Sequence, residues 1–289
     1  AVEPAPYAAA CIESAHPDVA AVRQFIGFTA GLQGSDMKVV VLVKHVPDAT
    51  SPRGFDAEVI SDRAKVDCIL SELDEYAVEQ ALRLAEQHEG VEITYLTMGP
   101  DAAVDALRKA LSMGGDAAIH INDSAIRGSD ALATSAILAA AIRKLDYDLV
   151  ITGMASTDGW VGVVPTMVAE RLGLPAATLA DELTLHGTTV TIRRDTDDDS
   201  RTYVTSLPCL VAVTDKTGEA RYPSFKGIMA AKKKTVEQWT LADLGVAAGH
   251  SAVATAASLR PARAAGVKVE DDGSGAIKLA DFLTERKFV

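Results

Sequence analysis

Cysteine is scarce in this chain, and the little there is carries no pattern. Cys11, Cys68 and Cys209 are scattered, odd in number and lack C-x-x-C spacing. That argues against a disulfide framework or a zinc site and for reduced thiols in a cytoplasmic protein. The six histidines are equally dispersed. Positive charge is also short: 28 Lys and Arg against 40 Asp and Glu leave a formal charge of −12. Such a chain is a poor partner for phosphate backbones and anionic membranes, so nucleic-acid binding is not expected. No apolar run is long enough to span a bilayer, which excludes direct membrane insertion by a helix.

What is present is an alternation of buried strands and amphipathic helices. The 289 residues suffice for one large domain or two ordinary ones. Residues 1–36 are Ala-rich without a strong strand pattern, and they end in Gly34-Ser35-Asp36. They read as a leader or extension ahead of a domain that starts at Met37, and they lack the charged start and apolar core of a secretory signal. Val39–Val43 is a continuous apolar run, as in a strand covered on both faces of a parallel sheet. A polar stretch over 44–70 follows. Ser71-Glu72-Leu73-Asp74 then has the form of a capping box, which predicts a helix from about Ser71.

The same alternation continues. It predicts strands at Ile93–Thr97, Ala117–Ile121 and Asp148–Gly153, and helices over about 101–113, Asp130–Leu145 and Val164–Leu172, the last stopped by Gly173 and Pro175. This order predicts an α/β fold with a doubly wound, mostly parallel sheet. Beyond Pro175, Leu183–Arg194 and Arg201–Ser206 read as two antiparallel strands joined by the acidic turn Asp195–Ser200, and Leu207–Val213 as a further apolar strand. After residue 223 the sheet signal fades. The α/β domain is therefore expected over 37–235, and 236–289, ending in the amphipathic Leu279–Phe288, as an arm that packs on a partner.

Ligands in such sheets bind outside the carboxyl ends of the strands. The richest strand end is the turn Gly153–Pro165, with glycines at 153, 159 and 162. Backbone N–H groups of 162–164 at a helix start would favour a phosphate, although such a turn can also be merely tight. The turn is neither a G-x-G-x-x-G fingerprint nor a G-x-x-x-x-G-K-[ST] loop, so binding without hydrolysis is the expectation, and no catalytic residue is assigned. His45 is a lone histidine after the first strand. Cys68 lacks a neighbouring base. Asp195, Asp197, Asp198 and Asp199 read as a solvated turn, and no metal is expected. Lys232–Lys234 reads as a solvated face that could also meet an acidic partner.

Together these segments resemble the β subunit of electron transfer flavoprotein, over roughly Met37 to Val289. The markers are Lys38–Asp48, Asp74–Ala81, Met98-Gly99-Pro100, Ala110–Gly114, the turn at 153–165 and Ile228–Lys234. The resemblance implies an adenine-nucleotide α-hydrolase-like sheet and a non-catalytic electron-carrier subunit paired with an α subunit. FAD would lie mainly on α near the interface, with a structural AMP on this chain. Electrons would pass from acyl-CoA dehydrogenases to a membrane quinone reductase, as in fatty acid β-oxidation. By position, the resemblance implies an AMP pocket with Leu42, Ser71, Glu72, Leu73, Asp74, Met98, Gly153, Ser156, Asp158, Gly162, Val163 and Val164. The backbone of Gly162–Val164 would take the phosphate and that of Ser156 would lie near the adenine. Leu73 and the segment after Lys44 would lie toward the flavin. Phe225 matches an apolar anchor that inserts into the dehydrogenase. Ala155, Trp160, Val161 and Val163 depart from the polar residues many relatives carry in this turn, which leaves nucleotide binding there to the main chain. A stand-alone adenine-nucleotide-binding module or ATP-hydrolysing enzyme is the alternative reading. A bifurcating relative with a second FAD in place of AMP is another.

Overall fold

The computed structural model describes residues 11–12, 37–52, 54–258, 261, 263 and 265–289. It comprises two units, Ala1–Thr255 and Ala256–Val289. Most of the leader therefore lies outside the described residues. In chain order the first unit contains strand β1 (Cys11–Ile12), β2 (Met37–Leu42), β3 (His45–Pro47), β4 (Cys68–Leu70), helix α1 (Glu72–Gln87), β5 (Val91–Met98), α2 (Val104–Met113), β6 (Ala117–Ile121), α3 (Ala131–Arg143) and β7 (Leu149–Gly153). It continues with α4 (Val164–Leu172), β8 (Ala176–Ala180), β9 (Glu182–His186), β10 (Thr189–Asp195), β11 (Ser200–Ser206), β12 (Cys209–Val213), α5 (Phe225–Ala231), β13 (Val236–Trp239) and α6 (Leu241–Leu244). The second unit holds α7 (Gly275–Glu285).

Seven strands form one sheet in the order β13-β6-β5-β2-β7-β12-β8, and every pairing in it is parallel. The α/β expectation holds. Successive side chains on a strand point to opposite faces, and here both faces are covered. Val39, Val41, Tyr95, Leu149 and Ile151 pack with Ala77, Val78 and Ala81 of α1 and Leu107 and Leu111 of α2. Val40, Leu42, Leu96 and Val150 pack with Ile137 and Ile142 of α3 and Val168 of α4. Each fully buried Leu or Ile in these layers contributes roughly 1.5–3 kcal/mol relative to exposure. From β2 the chain runs outward through β5 and β6 to one side, then returns at β7 to the other side of β2. That reversal is the topological switch point, where a crevice opens at the strand ends.

Three expectations need correction. Leu183–Arg194 is not one strand but the hairpin β9–β10, reversed at Gly187, whose φ of 59° lies in the left-handed region glycine adopts freely. The buried residues change parity there, from Leu185 to Val190 and Ile192, and this phase slip is the signature of the turn. With β11 and β1 the hairpin forms a separate antiparallel sheet, and the acidic turn after Asp195 joins β10 to β11 as expected. Second, the sheet does not end before residue 223. β13 extends it, paired with β6 at the edge, where only Val236 and Trp239 needed to be apolar. Third, Ser71 and Asp74 do not form a capping box. Ser71 is the N-cap of α1 but makes no side-chain cap bond. A capping box does occur at Thr240 and Asp243, at the start of α6. Among the described residues no helix is long and apolar enough to cross a membrane.

Candidate functional site at the switch point

The carboxyl ends of β2 and β7 lie side by side, with Val41 opposite Ile151. Leu42 is buried at the end of β2, and Met98 ends the neighbouring β5, half-buried. Helix α1 begins beneath this crevice because β3 and β4 pair as a ribbon that brings the chain back from residue 67 to the end of β2. The N–H of Ser71 donates to the Lys44 carbonyl at 2.9 Å, which fixes the helix start against the strand end.

The side chains of the would-be capping box serve this crevice instead. Buried Asp74 accepts the N–H of Lys44 at 2.8 Å, and the N–H of Gly153 also donates to its carboxylate. One carboxylate thus ties β2 to β7. Burial is the main influence on Asp74 and raises its pKa to about 7, against the opposing pull of the Lys44 N–H, the Lys44 charge and the Gly153 N–H. Ser71 Oγ accepts the N–H of Thr157 at 3.4 Å, from the loop after β7. Leu73 is buried beside them, whereas Glu72 points to solvent.

Gly153 is needed for its lack of a side chain. A Cβ there would lie 2.6 Å from Asp74 Oδ1 and 2.8 Å from the Leu73 carbonyl oxygen. Above it, Asp158 has a side chain only 6% exposed and receives two cations. Lys44 Nζ is 2.8 Å from its Oδ1, and the Arg63 guanidinium pairs with Oδ2. Lys44 Nζ also reaches Ser156 Oγ at 3.3 Å. Burial alone would raise the Asp158 pKa. Lys44, the Ser156 hydroxyl and Arg63 overcome it and bring the value to about 2. Sequence reading missed Lys44 and Arg63 as members of this site. Lys44 had a signal, a cation directly after a buried strand. Arg63 had none, since it lies 95 residues from its partner in the chain.

The loop then turns through Trp160 at φ 53° and Gly162 at φ 68°. Trp160, Val161 and Val163 are exposed. Helix α4 starts at Val164 with Pro165 in its first turn and no side-chain cap. Its leading N–H groups carry the positive end of the helix dipole, a site for anions. Ser71, Leu73, Asp74, Gly153, Ser156 and Asp158 are thus brought together from the α1 start and the β7–α4 loop, with Lys44 after β2 joining them.

The remaining candidates lie elsewhere. His45 is buried in the β3–β4 ribbon with its Nδ1 unpartnered among the described residues, and burial lowers its pKa. Cys68 donates weakly to the carbonyls of Arg63 and Val66. Asp199 accepts from Thr196 and pairs with Arg201, and Asp195 accepts from Ser200, so these carboxylates stitch the hairpin turn. No group of three or more His, Cys, Asp or Glu among the described residues is arranged to hold a metal. Phe225 opens α5 and is 80% exposed.

Comparison with known proteins gives this geometry a context. Residues 59–244 match the electron transfer flavoprotein domain. The chain belongs to the electron transfer flavoprotein β-subunit family. It is 42% identical over 263 residues to electron transfer flavoprotein subunit beta of Mycobacterium tuberculosis, covering 87% of this chain and 99% of that protein. The subunit of the same name from Syntrophomonas wolfei is 36% identical over 250 residues, covering 86% and 96%. The protein FixA of Azorhizobium caulinodans is 36% identical over 218 residues, covering 73% and 77%. The family role is that of an electron-carrying flavoprotein subunit, and the redox chemistry in such proteins belongs to the flavin.

Proposed function

We propose that this β subunit holds AMP in the switch-point crevice and pairs with an α subunit that carries most of the FAD contacts. The assembled protein accepts electrons from acyl-CoA dehydrogenases and passes them to a membrane quinone reductase. One observation carries the nucleotide reading: the uncapped, Pro165-containing start of α4 opens at the switch point beside a Gly162 turn. Main-chain N–H groups of Gly162, Val163 and Val164 would take the phosphate. Ser71, Leu73, Asp74 and Gly153 shape the floor, and Leu42, Met98, Ser156 and Asp158 line the rim, with Glu72 at its outer edge. Val161 and Val163 offer no side-chain hydrogen bond to a ribose and Trp160 only its indole N–H donor, so recognition rests mainly on backbone and shape. The FAD on α would supply the one- and two-electron chemistry, and this chain's part is to bind, orient and exclude water.

The test is to denature the purified α/β protein and weigh the released nucleotides. One AMP and one FAD per heterodimer is the expected result; two FAD, or no AMP, would overturn the reading. A paired substitution sharpens it. Gly162→Asn keeps a residue that tolerates positive φ and carries no charge. Gly162→Asp adds a carboxylate facing the phosphate. Retained AMP should fall about tenfold further in the Asp variant than in the Asn variant, the effect of roughly 1.4 kcal/mol of repulsion.

Phe225 is the proposed anchor for the dehydrogenase. A single exposed apolar side chain can dominate a small interface. Phe225→Ala should raise the half-saturating dehydrogenase concentration in flavin-reduction assays by about tenfold or more, with flavin and AMP content unchanged. Loss of flavin would instead place Phe225 at the subunit interface.

A further inference from the structure

The exposed helix α5 is short, yet the chain at both of its ends is fixed by polar contacts, most of them part-buried. Ahead of its N-terminus, Arg221 is locked to α1. Its Nε donates to Glu79 Oε2 at 2.8 Å and its NH2 to Glu79 Oε1 at 3.2 Å, while its NH1 donates to Glu86 at 2.5 Å. The Arg221 N–H adds a bond to Glu79 at 3.1 Å. Glu79 is only 4% exposed and is shared with Arg83 at 2.9 Å. Arg83 in turn donates to the carbonyls of Thr217 and Glu219, and Gln80 donates to that of Thr217. The segment 217–221 is therefore held by about two turns of α1, from Glu79 to Glu86.

At the other end, Arg108 of α2 donates to the carbonyls of Ala231 at 2.7 Å and Lys234 at 2.6 Å, which serves as a C-terminal cap. Lys234 Nζ bonds the Gly115 carbonyl after α2. Between the clamps, Gly227 lies so close to the Ser112 carbonyl that a Cβ would overlap it. Tyr222, Phe225, Ile228 and Met229 stay exposed on this fixed frame, Tyr222 at 94%. A surface segment with no internal task would not be expected to be secured in this way.

We propose that Arg221 and Arg108 are positioning residues for partner docking, holding both ends of the Phe225 helix so that its apolar face meets the dehydrogenase already ordered. Pre-ordering spares the cost of immobilising the segment at the moment of contact. The proposal rests on the reading of Phe225 as the anchor.

The test uses the assembled α/β protein, with an acyl-CoA dehydrogenase reduced by its acyl-CoA as electron donor. Arg221→Lys and Arg108→Gln are each expected to raise the half-saturating dehydrogenase concentration about fivefold, with the maximal rate changed less than about twofold and AMP and flavin content intact. Hydrogen exchange should quicken over 222–232 and not in the central strands. Combined with Phe225→Ala, Arg221→Lys should add little, because both act through one contact. If Arg221→Lys fails to assemble, Glu86→Ala removes one bond and leaves Glu79 paired. Unchanged half-saturation in the clamp variants while Phe225→Ala raises it, or fully multiplicative effects, would overturn the proposal. If Phe225→Ala is itself silent, the anchor reading fails, and unchanged exchange over 222–232 then overturns the clamp separately.

Discussion

Gly153→Ala should lower the unfolding free energy by about 3 kcal/mol and strip the protein of the proposed AMP. Overpacking in a tight core costs roughly 1–3 kcal/mol, and more where the neighbours are backbone. Here the added methyl would meet the Asp74 carboxylate and the Leu73 carbonyl, neither of which is the free end of a flexible side chain. Relief requires that α1 withdraw from β7. That movement would break the Lys44 and Gly153 N–H bonds to Asp74 and lift Ser71 away from Thr157. Denaturant unfolding of the purified heterodimer, with nucleotide weighed after denaturation, checks both consequences. A stable variant with full AMP content would show that the helix start has more room than its contacts indicate.

Asp158→Asn should cost about 2 kcal/mol near neutral pH. Breaking a buried ion pair costs about 3–5 kcal/mol, but Lys44 is 42% exposed, so solvent screens part of the loss. The variant leaves Lys44 and Arg63 facing each other without the charge between them. Its pH dependence identifies the cause. The Asp158 pKa is depressed from 3.8 to about 2 in the folded protein. Its contribution is therefore present above pH 3.8 and lost as pH falls through the folded value. Asp74 has the opposite sign. Its folded pKa is raised from 3.8 to about 7, so its contribution is full below 3.8 and is lost as pH rises toward 7. The two residues oppose each other across the acid range. Asp158→Asn should shrink the acid-side decline between about pH 4 and 2, the remainder coming from other carboxylates with lowered pKa values such as Glu79 and Asp181, and should soften the pH 4–7 slope slightly, because the Asp158 charge helps raise Asp74. Urea midpoints across pH, compared between wild type and variant, test this, and an acid limb of equal size in the two would show that Asp158 contributes nothing to it.

The fold was largely legible because both faces of the sheet are covered. Runs such as Val39–Val43 and Leu149–Gly153 need no subtle pattern when every residue is buried. Legibility failed where burial is partial. β13 carries two apolar residues in four, and β8 is mostly alanine and threonine. The hairpin reversal at Gly187 was hidden inside an alternation that only changed phase. The Ser71–Asp74 motif shows a different limit. Its spacing fits a capping box, but tertiary partners, the N–H groups of Lys44, Gly153 and Thr157, compete for the same side chains. Local sequence cannot report that competition. The Asp158–Arg63 pair is likewise a product of the β3–β4 ribbon, which folds residue 63 back over the strand ends.

The crevice also has a history within each molecule. Its two walls, β2 and β7, are separated by about a hundred residues of intervening strands and helices, and contacts between such distant segments form late because the loop between them must first be ordered. A chain emerging from the ribosome has its first wall early and cannot complete the pocket until the fourth core strand has been made. The proposed nucleotide would bind only the finished arrangement and, by mass action, draw the population toward it. A bound nucleotide that undergoes no reaction would then act as a seal on completed subunits, separating those ready for pairing from those still being assembled.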